Sequence, residues 1–219
     1  MFFSDRVNLV HVEEKINYLV VGLGNPGRSY EGTYHNVGRE CARLFVKMCE
    51  DNPSENWIKK FHGIFTEINS IQQRIVYVLL PQTYMNLSGK AVKEAVKVLG
   101  VSLERVIVVH DDMDIESGRV KIKFGGSHGG HRGVLSCIEH LNSEKFIRVK
   151  IGIGKDPGLA GMDYVLSKIY PEHSQVIHEG IEKASRAIKW IVLNGLQSAM
   201  NEFNRKKTES SAKNENNKN

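Results

Sequence analysis

A histidine becomes an effective base near neutral pH when an acid fixes its ring and amide donors face the atom under attack. This sequence offers such groups in four separated segments. The first runs from Gly22-Leu23-Gly24-Asn25-Pro26-Gly27 through Tyr30 to His35 and Asn36. The second, Leu80 to Gly89, carries Tyr84, Met85 and Asn86. In the third, Val108-Val109-His110-Asp111-Asp112-Met113-Asp114, an apolar run ends in acids. The fourth, Gly125 to Gly133, is rich in glycine and holds His128, His131 and Arg132.

The glycines of the first segment fit the dinucleotide pattern G-x-G-x-x-G. That use needs a helix to start inside the glycines and an acid about 20 residues on, after a second strand. Here Arg28-Ser29-Tyr30-Glu31-Gly32 prolongs a loop, and the later position falls within an amphipathic helix, so nicotinamide or flavin binding is set aside. The loop instead projects Asn25, Tyr30, His35 and Asn36 from the carboxyl end of a strand, where open α/β sheets place their sites. A lone loop histidine is more often incidental than catalytic, so His35 depends on its partners. An acid of the third segment can orient it and stabilise its protonated form. His110, Asp111, His128 and His131 also suit a metal, but no spacing among them matches a ligand motif. Asn86 is either a turn residue or a donor to a developing oxyanion. The fourth segment has no Walker lysine, so its glycines read as an anion-accepting loop ahead of a helix and not as an NTP site. Lys121 and Lys123 alternate on the strand before it, and Arg148 and Lys150 on the next. If those strands pair, a basic face forms that suits phosphates; a merely solvated face is equally compatible with the charges.

The elements that must position these groups follow from periodicity. Tyr18–Leu23, Gly63–Ile68, Arg74–Leu80, Val106–His110, Arg119–Phe124 and Phe146–Ile153 read as strands. Helices are expected from a cap at Asn36 to a stop at Asn52-Pro53-Ser54, from a cap at Ser88 to Gly100, after Gly133 through Leu141, and from Pro171 to about Leu193, with a short one after it. Strands and helices interleave, so the fold class is α/β: one domain with a mixed, mostly parallel sheet and helices on both faces. The 219 residues suffice for one such domain and do not require two. Residues 1–16 read as an extension, 17–204 as the domain and 205–219 as a polar, disordered tail. No apolar run is long enough to span a membrane. Three cysteines, an odd number without C-x-x-C, fit a reducing cytosol better than a disulfide framework. A net charge of +5 is compatible with an RNA partner without requiring one.

The ordered set VGLGNPG, YEGTYHNVG, LLPQTYMNLSGKAV, VVHDDMD, GGSHGGHRG and VKIGIG, spread over about residues 18 to 200, resembles the bacterial-type peptidyl-tRNA hydrolases. The resemblance implies a three-layer α/β/α monomer, cytoplasmic and without a cofactor, that cleaves the ester between a peptide and the 3′ end of tRNA and binds the acceptor stem. It implies His35 as general base and Asp111 as the acid that orients it. It gives Asn86 a part in fixing the attacked group, and it makes Asn25 the residue that distinguishes a blocked amino acid from a free one. Tyr30, Tyr84, Met85, Asn36 and His131 match substrate contacts, and Lys123 and Lys150 match positions that hold tRNA phosphate. Arg132 departs from the family, which often has asparagine there. A guanidinium only donates and stays charged, whereas a carboxamide also accepts, so Arg132 is carried over as a substrate contact alone. The resemblance also admits a class that keeps the fold as a non-catalytic RNA-binding partner.

Overall fold

The computed structural model describes residues 16–49 and 57–205. Apart from Ile16 and Arg205, the expected extension and tail lie outside the described residues, as does the expected helix stop at Asn52-Pro53-Ser54.

Seven strands form one sheet: β1 (Asn17–Gly22), β2 (Ile58–Lys60), β3 (Gly63–Ile71), β4 (Arg74–Pro81), β5 (Val106–Asp112), β6 (Val120–Phe124) and β7 (Ile147–Gly152). Their spatial order is β2-β3-β4-β1-β5-β7-β6. The four central strands, β4, β1, β5 and β7, are all parallel, and both flanks turn antiparallel. β1 is the strand from which the chain departs first to one side and later to the other. Its carboxyl end, with those of β4 and β5, therefore opens a crevice at a topological switch point.

Among the described residues, six α-helices cover the sheet: α1 (Val37–Cys49), α2 (Ser88–Leu99), α3 (Arg132–Leu141), α4 (Gly161–Leu166), α5 (Pro171–Asn194) and α6 (Leu196–Phe203). Side chains alternate across each strand. Val20, Ile107, Val109 and Val149 pack on α1 and α5, while Leu19, Val21 and Val108 pack on α2 and α3. The result is a three-layer α/β/α sandwich with two cores, in which each large aliphatic or phenylalanine side chain adds about 1.5–3 kcal/mol when fully buried. Two glycines allow close packing, one between layers and one between helices of the same layer. A Cβ on Gly38 would stand 2.3 Å from the Val109 carbonyl oxygen, and one on Gly89 would stand 2.0 Å from that of Ser136. These close approaches press α1 onto β5 and α2 onto α3.

Pro171 begins α5, and Gly100 ends α2 in the left-handed region at φ 63°. The two expected side-chain caps are corrected. The Asn36 carboxamide is spent on Asn25, and the buried Ser88 hydroxyl caps nothing. In both places two short 3-10 turns, Tyr34–Asn36 and Met85–Leu87, lead into the helices and replace the caps.

Candidate active site

The 3-10 turn after β1 brings His35 to the end of β5. His35 Nδ1 lies 2.9 Å from Asp111 Oδ1, and His131 Nε2 lies 3.0 Å from the same oxygen. The ring protons follow from the surrounding donors. His131 Nδ1 accepts from the backbone N–H groups of Gly133 and Val134 at the start of α3, so its proton sits on Nε2 and points at Asp111. Asp111 is 3% exposed. Burial pushes its carboxyl toward the neutral form, but the His35 and His131 rings overrule this and hold it well below the usual carboxylate range. An ionised Asp111 only accepts, so His35 donates from Nδ1 and its Nε2 lone pair is left free. His35 lines an open cavity of about 320 Å³ with His110, His131, Arg132, Met113 and, from α4, Met162. His35 is itself 8% exposed, buried in the crevice although it belongs to neither hydrophobic core.

The same three residues place potential metal-ligand atoms within 4.8 Å of one another. A ligating imidazole must turn a lone pair to the ion. Here both rings turn N–H groups to Asp111, so hydrogen bonding already uses the atoms that a metal would need.

His110 closes the cavity floor. Its Nδ1 donates to the Asp111 carbonyl oxygen at 2.6 Å, and its buried Nε2 has no hydrogen-bond partner among the described residues. Burial, and then the nearby His131, lowers its pKa well below the ordinary histidine range. The unfolded chain therefore takes up this proton first as pH falls below about 6.5, and stability drops with it until the folded ring also titrates. We predict that His110→Asn, whose amide nitrogen replaces the Nδ1 donor, reduces the loss of urea stability between pH 7 and 5 by up to about 1.4 kcal/mol per pH unit. An unchanged pH slope would show that another group carries it.

Asn25 and Asn36 clasp each other. The Asn25 N–H donates to Asn36 Oδ1 at 2.8 Å, and Asn36 Nδ2 donates to the Asn25 carbonyl at 3.1 Å. Met85 N–H then donates to Asn25 Oδ1 at 2.8 Å, which joins the first and second segments. With its oxygen taken, Asn25 keeps Nδ2 as a free donor among the described residues. Met85 is buried, whereas Asn86 and Tyr84 are exposed on the same turn and Tyr30 is half-buried. Asn86 makes no hydrogen bond among the described residues, and neither tyrosine nor Asn86 lines the cavity that holds His35.

The strands β6 and β7 do pair, with Lys121 opposite Lys150 and Lys123 opposite Arg148. The expected four-residue basic face is nevertheless reduced. Arg148 is 1% exposed, and its guanidinium donates to the carbonyls of Gly125, Gly126 and Ser127. It thereby folds the glycine-rich loop over its own strand. Lys150 Nζ pairs with Asp112 Oδ2 at 2.7 Å. Lys121 and Lys123 remain exposed. Arg132 is also exposed, as the first residue of α3 at the cavity rim.

The model of the family described as peptidyl-tRNA hydrolase matches residues 19–211. The chain belongs to the peptidyl-tRNA hydrolase family. A peptidyl-tRNA hydrolase of Caldanaerobacter subterraneus subsp. tengcongensis is 43% identical over 187 residues, covering 85% of this chain and 99% of that one. One from Clostridium beijerinckii is 39% identical, covering 85% and 95%. The crystal structure of the peptidyl-tRNA hydrolase from Acinetobacter baumannii superposes with a TM-score of 0.75 at 32% identity, covering 85% of this chain and 94% of that one.

Within this family fold, two residues named from the sequence take roles it did not show, and a third residue went unnamed. His131 is a second donor to Asp111 and the cap of α3, signalled only by its place just before Val134, the first apolar residue of that helix. Arg148 clamps a loop 20 or so residues upstream, a contact without a local signal. Tyr34, fully buried, bonds through its hydroxyl to His173 Nδ1 at 2.6 Å and so ties the His35 turn to α5.

Proposed function

We propose that this protein hydrolyses the ester joining an N-blocked aminoacyl or peptidyl group to the 3′ ribose of tRNA, with His35 as general base. The observation that carries this reading is the 2.9 Å bond from His35 Nδ1 to Asp111, which leaves Nε2 free on the cavity side. His35 Nε2 takes a proton from water as the water oxygen attacks the ester carbonyl. Asp111 stabilises the imidazolium that forms. The Asn86 amide steadies the oxyanion, and the collapsing intermediate expels the ribose oxygen, which recovers the proton from His35. The products are a peptide acid and a tRNA with a free 3′ end. Asn25 selects a blocked amino group, while Tyr30, Tyr84, Met85, Asn36, His131 and Arg132 contact the substrate around the ester. The working form is a monomer in the cytoplasm. Among the described residues, no helix is long and apolar enough to cross a membrane.

Hydrolysis in ¹⁸O-labelled water tests the chemistry. The label is expected in the peptide carboxylate and not in the tRNA; label in the tRNA would contradict attack at the carbonyl. Lys123, exposed at the edge strand, is assigned to an acceptor-stem phosphate, and Lys150 to a neighbouring one once Asp112 releases it. Lys123→Ala is expected to weaken tRNA binding and to lower the log K against log salt slope by about 1. An unchanged slope would remove Lys123 from the interface.

A further inference from the structure

A second cavity, of about 540 Å³, opens on the other side of the Asn25–Asn36 clasp. Arg39, Arg43 and Lys47 line it at helical spacing along α1, so their side chains share one face. Arg39 is 7% exposed, and of its five N–H groups only one on Nη1 is used, donating to the Pro81 carbonyl at 2.9 Å. Its other N–H groups have no hydrogen-bond partner among the described residues, and the side chain lines the cavity. Glu31 and Glu40 stand on the same wall, but neither comes within ion-pair distance of Arg39 or Arg43 among the described residues. The guanidinium pKa is accordingly lowered to about 10, first by burial and then by Arg43, with the two glutamates only partly compensating. A buried cation with idle donors that face an open pocket lacks an anion.

The topology says which anion has access. Pro81 ends β4, on the opposite side of β1 from β5, β7 and β6. The lysines assigned to tRNA phosphate, Lys123 on β6 and Lys150 on β7, stand across the sheet. An ester held at His35 with its ribose toward β6 sends its acyl chain toward β4, past Asn25, which lines this pocket.

We propose that the Arg39–Arg43–Lys47 pocket is a peptide subsite that takes the carboxylate of an acidic side chain upstream of the esterified residue. The inference rests on the proposed hydrolysis and adds a sequence preference to it.

The test uses N-acetyl-tripeptidyl-tRNAs ending in alanine, in which either upstream residue is Glu or its uncharged counterpart Gln. For one of the two positions, the Glu substrate is expected to exceed the Gln substrate about tenfold in kcat/KM, mainly through KM, the size of one added charge-assisted hydrogen bond. Arg43→Gln is expected to bring that ratio close to 1. Arg39→Gln should do the same, and Arg43→Gln serves as the independent variant if loss of the Pro81 bond impairs folding. Equal rates for Glu and Gln at both positions, or a ratio that survives Arg43→Gln, would overturn the subsite while leaving the hydrolase reading intact. Cleavage of none of the substrates would overturn both.

Discussion

His35→Ala is expected to lower kcat on N-blocked aminoacyl-tRNA by about 10²–10⁴-fold, with KM changed far less. The size follows from what the ring does. His35 contributes little to the two hydrophobic cores, but its Nε2 is the free base at the cavity and its Nδ1 proton is already committed to Asp111. The exchange leaves a small space at the crevice and one unused lone pair on Asp111, which His131 still satisfies at 3.0 Å. Thermal unfolding is therefore expected to remain cooperative, which separates lost chemistry from lost structure. A variant that turns over at near the normal rate would remove His35 as the base.

Asp111→Asn is expected to cost about 10²–10⁴-fold in kcat/KM. Both histidines bond to Oδ1, so an amide that retains that oxygen can keep the geometry. What disappears is the charge that favours imidazolium formation as water is deprotonated. Because Asp111 acts through His35, the two losses are not additive. The double variant His35→Ala, Asp111→Asn is expected to be no slower than His35→Ala alone. If its rate fell by the product of the two single effects, Asp111 would have a separate role in the reaction.

The sequence made the central sheet legible because β1, β4 and β5 are largely buried and read as apolar runs, while β7 alternates apolar residues with Arg148 and Lys150. It placed Pro171 and Gly100 correctly because their roles are set by φ and need no distant partner. β2 went unread: Ile58–Lys60 is three exposed residues held only by pairing with β3. The short α4 went unread as well, since its six residues are too few to show a helical repeat. The cap assignments failed for a tertiary reason, since the Asn36 carboxamide meets Asn25 eleven residues earlier and not the first turn of α1.

The site shows the same division. His35 and Asp111 are legible as a base after one strand and an acid after another, since parallel neighbours bring such ends together. That His131 shares the same carboxylate oxygen is not legible, because it depends on α3 starting where it does. The basic stripe of Lys121, Lys123, Arg148 and Lys150 was legible in its register but not in the partners of two of its members. A loop carbonyl cluster took Arg148, and Asp112 took Lys150, neither of which strand periodicity can foresee.

The most direct test of the central claim is hydrolysis of an N-acetyl-aminoacyl-tRNA beside the unblocked form, with and without EDTA. The account predicts rapid, chelator-resistant cleavage of the blocked substrate alone. Retained tRNA binding with no cleavage of the blocked substrate would contradict it and point to an RNA-binding protein that keeps the fold without the reaction.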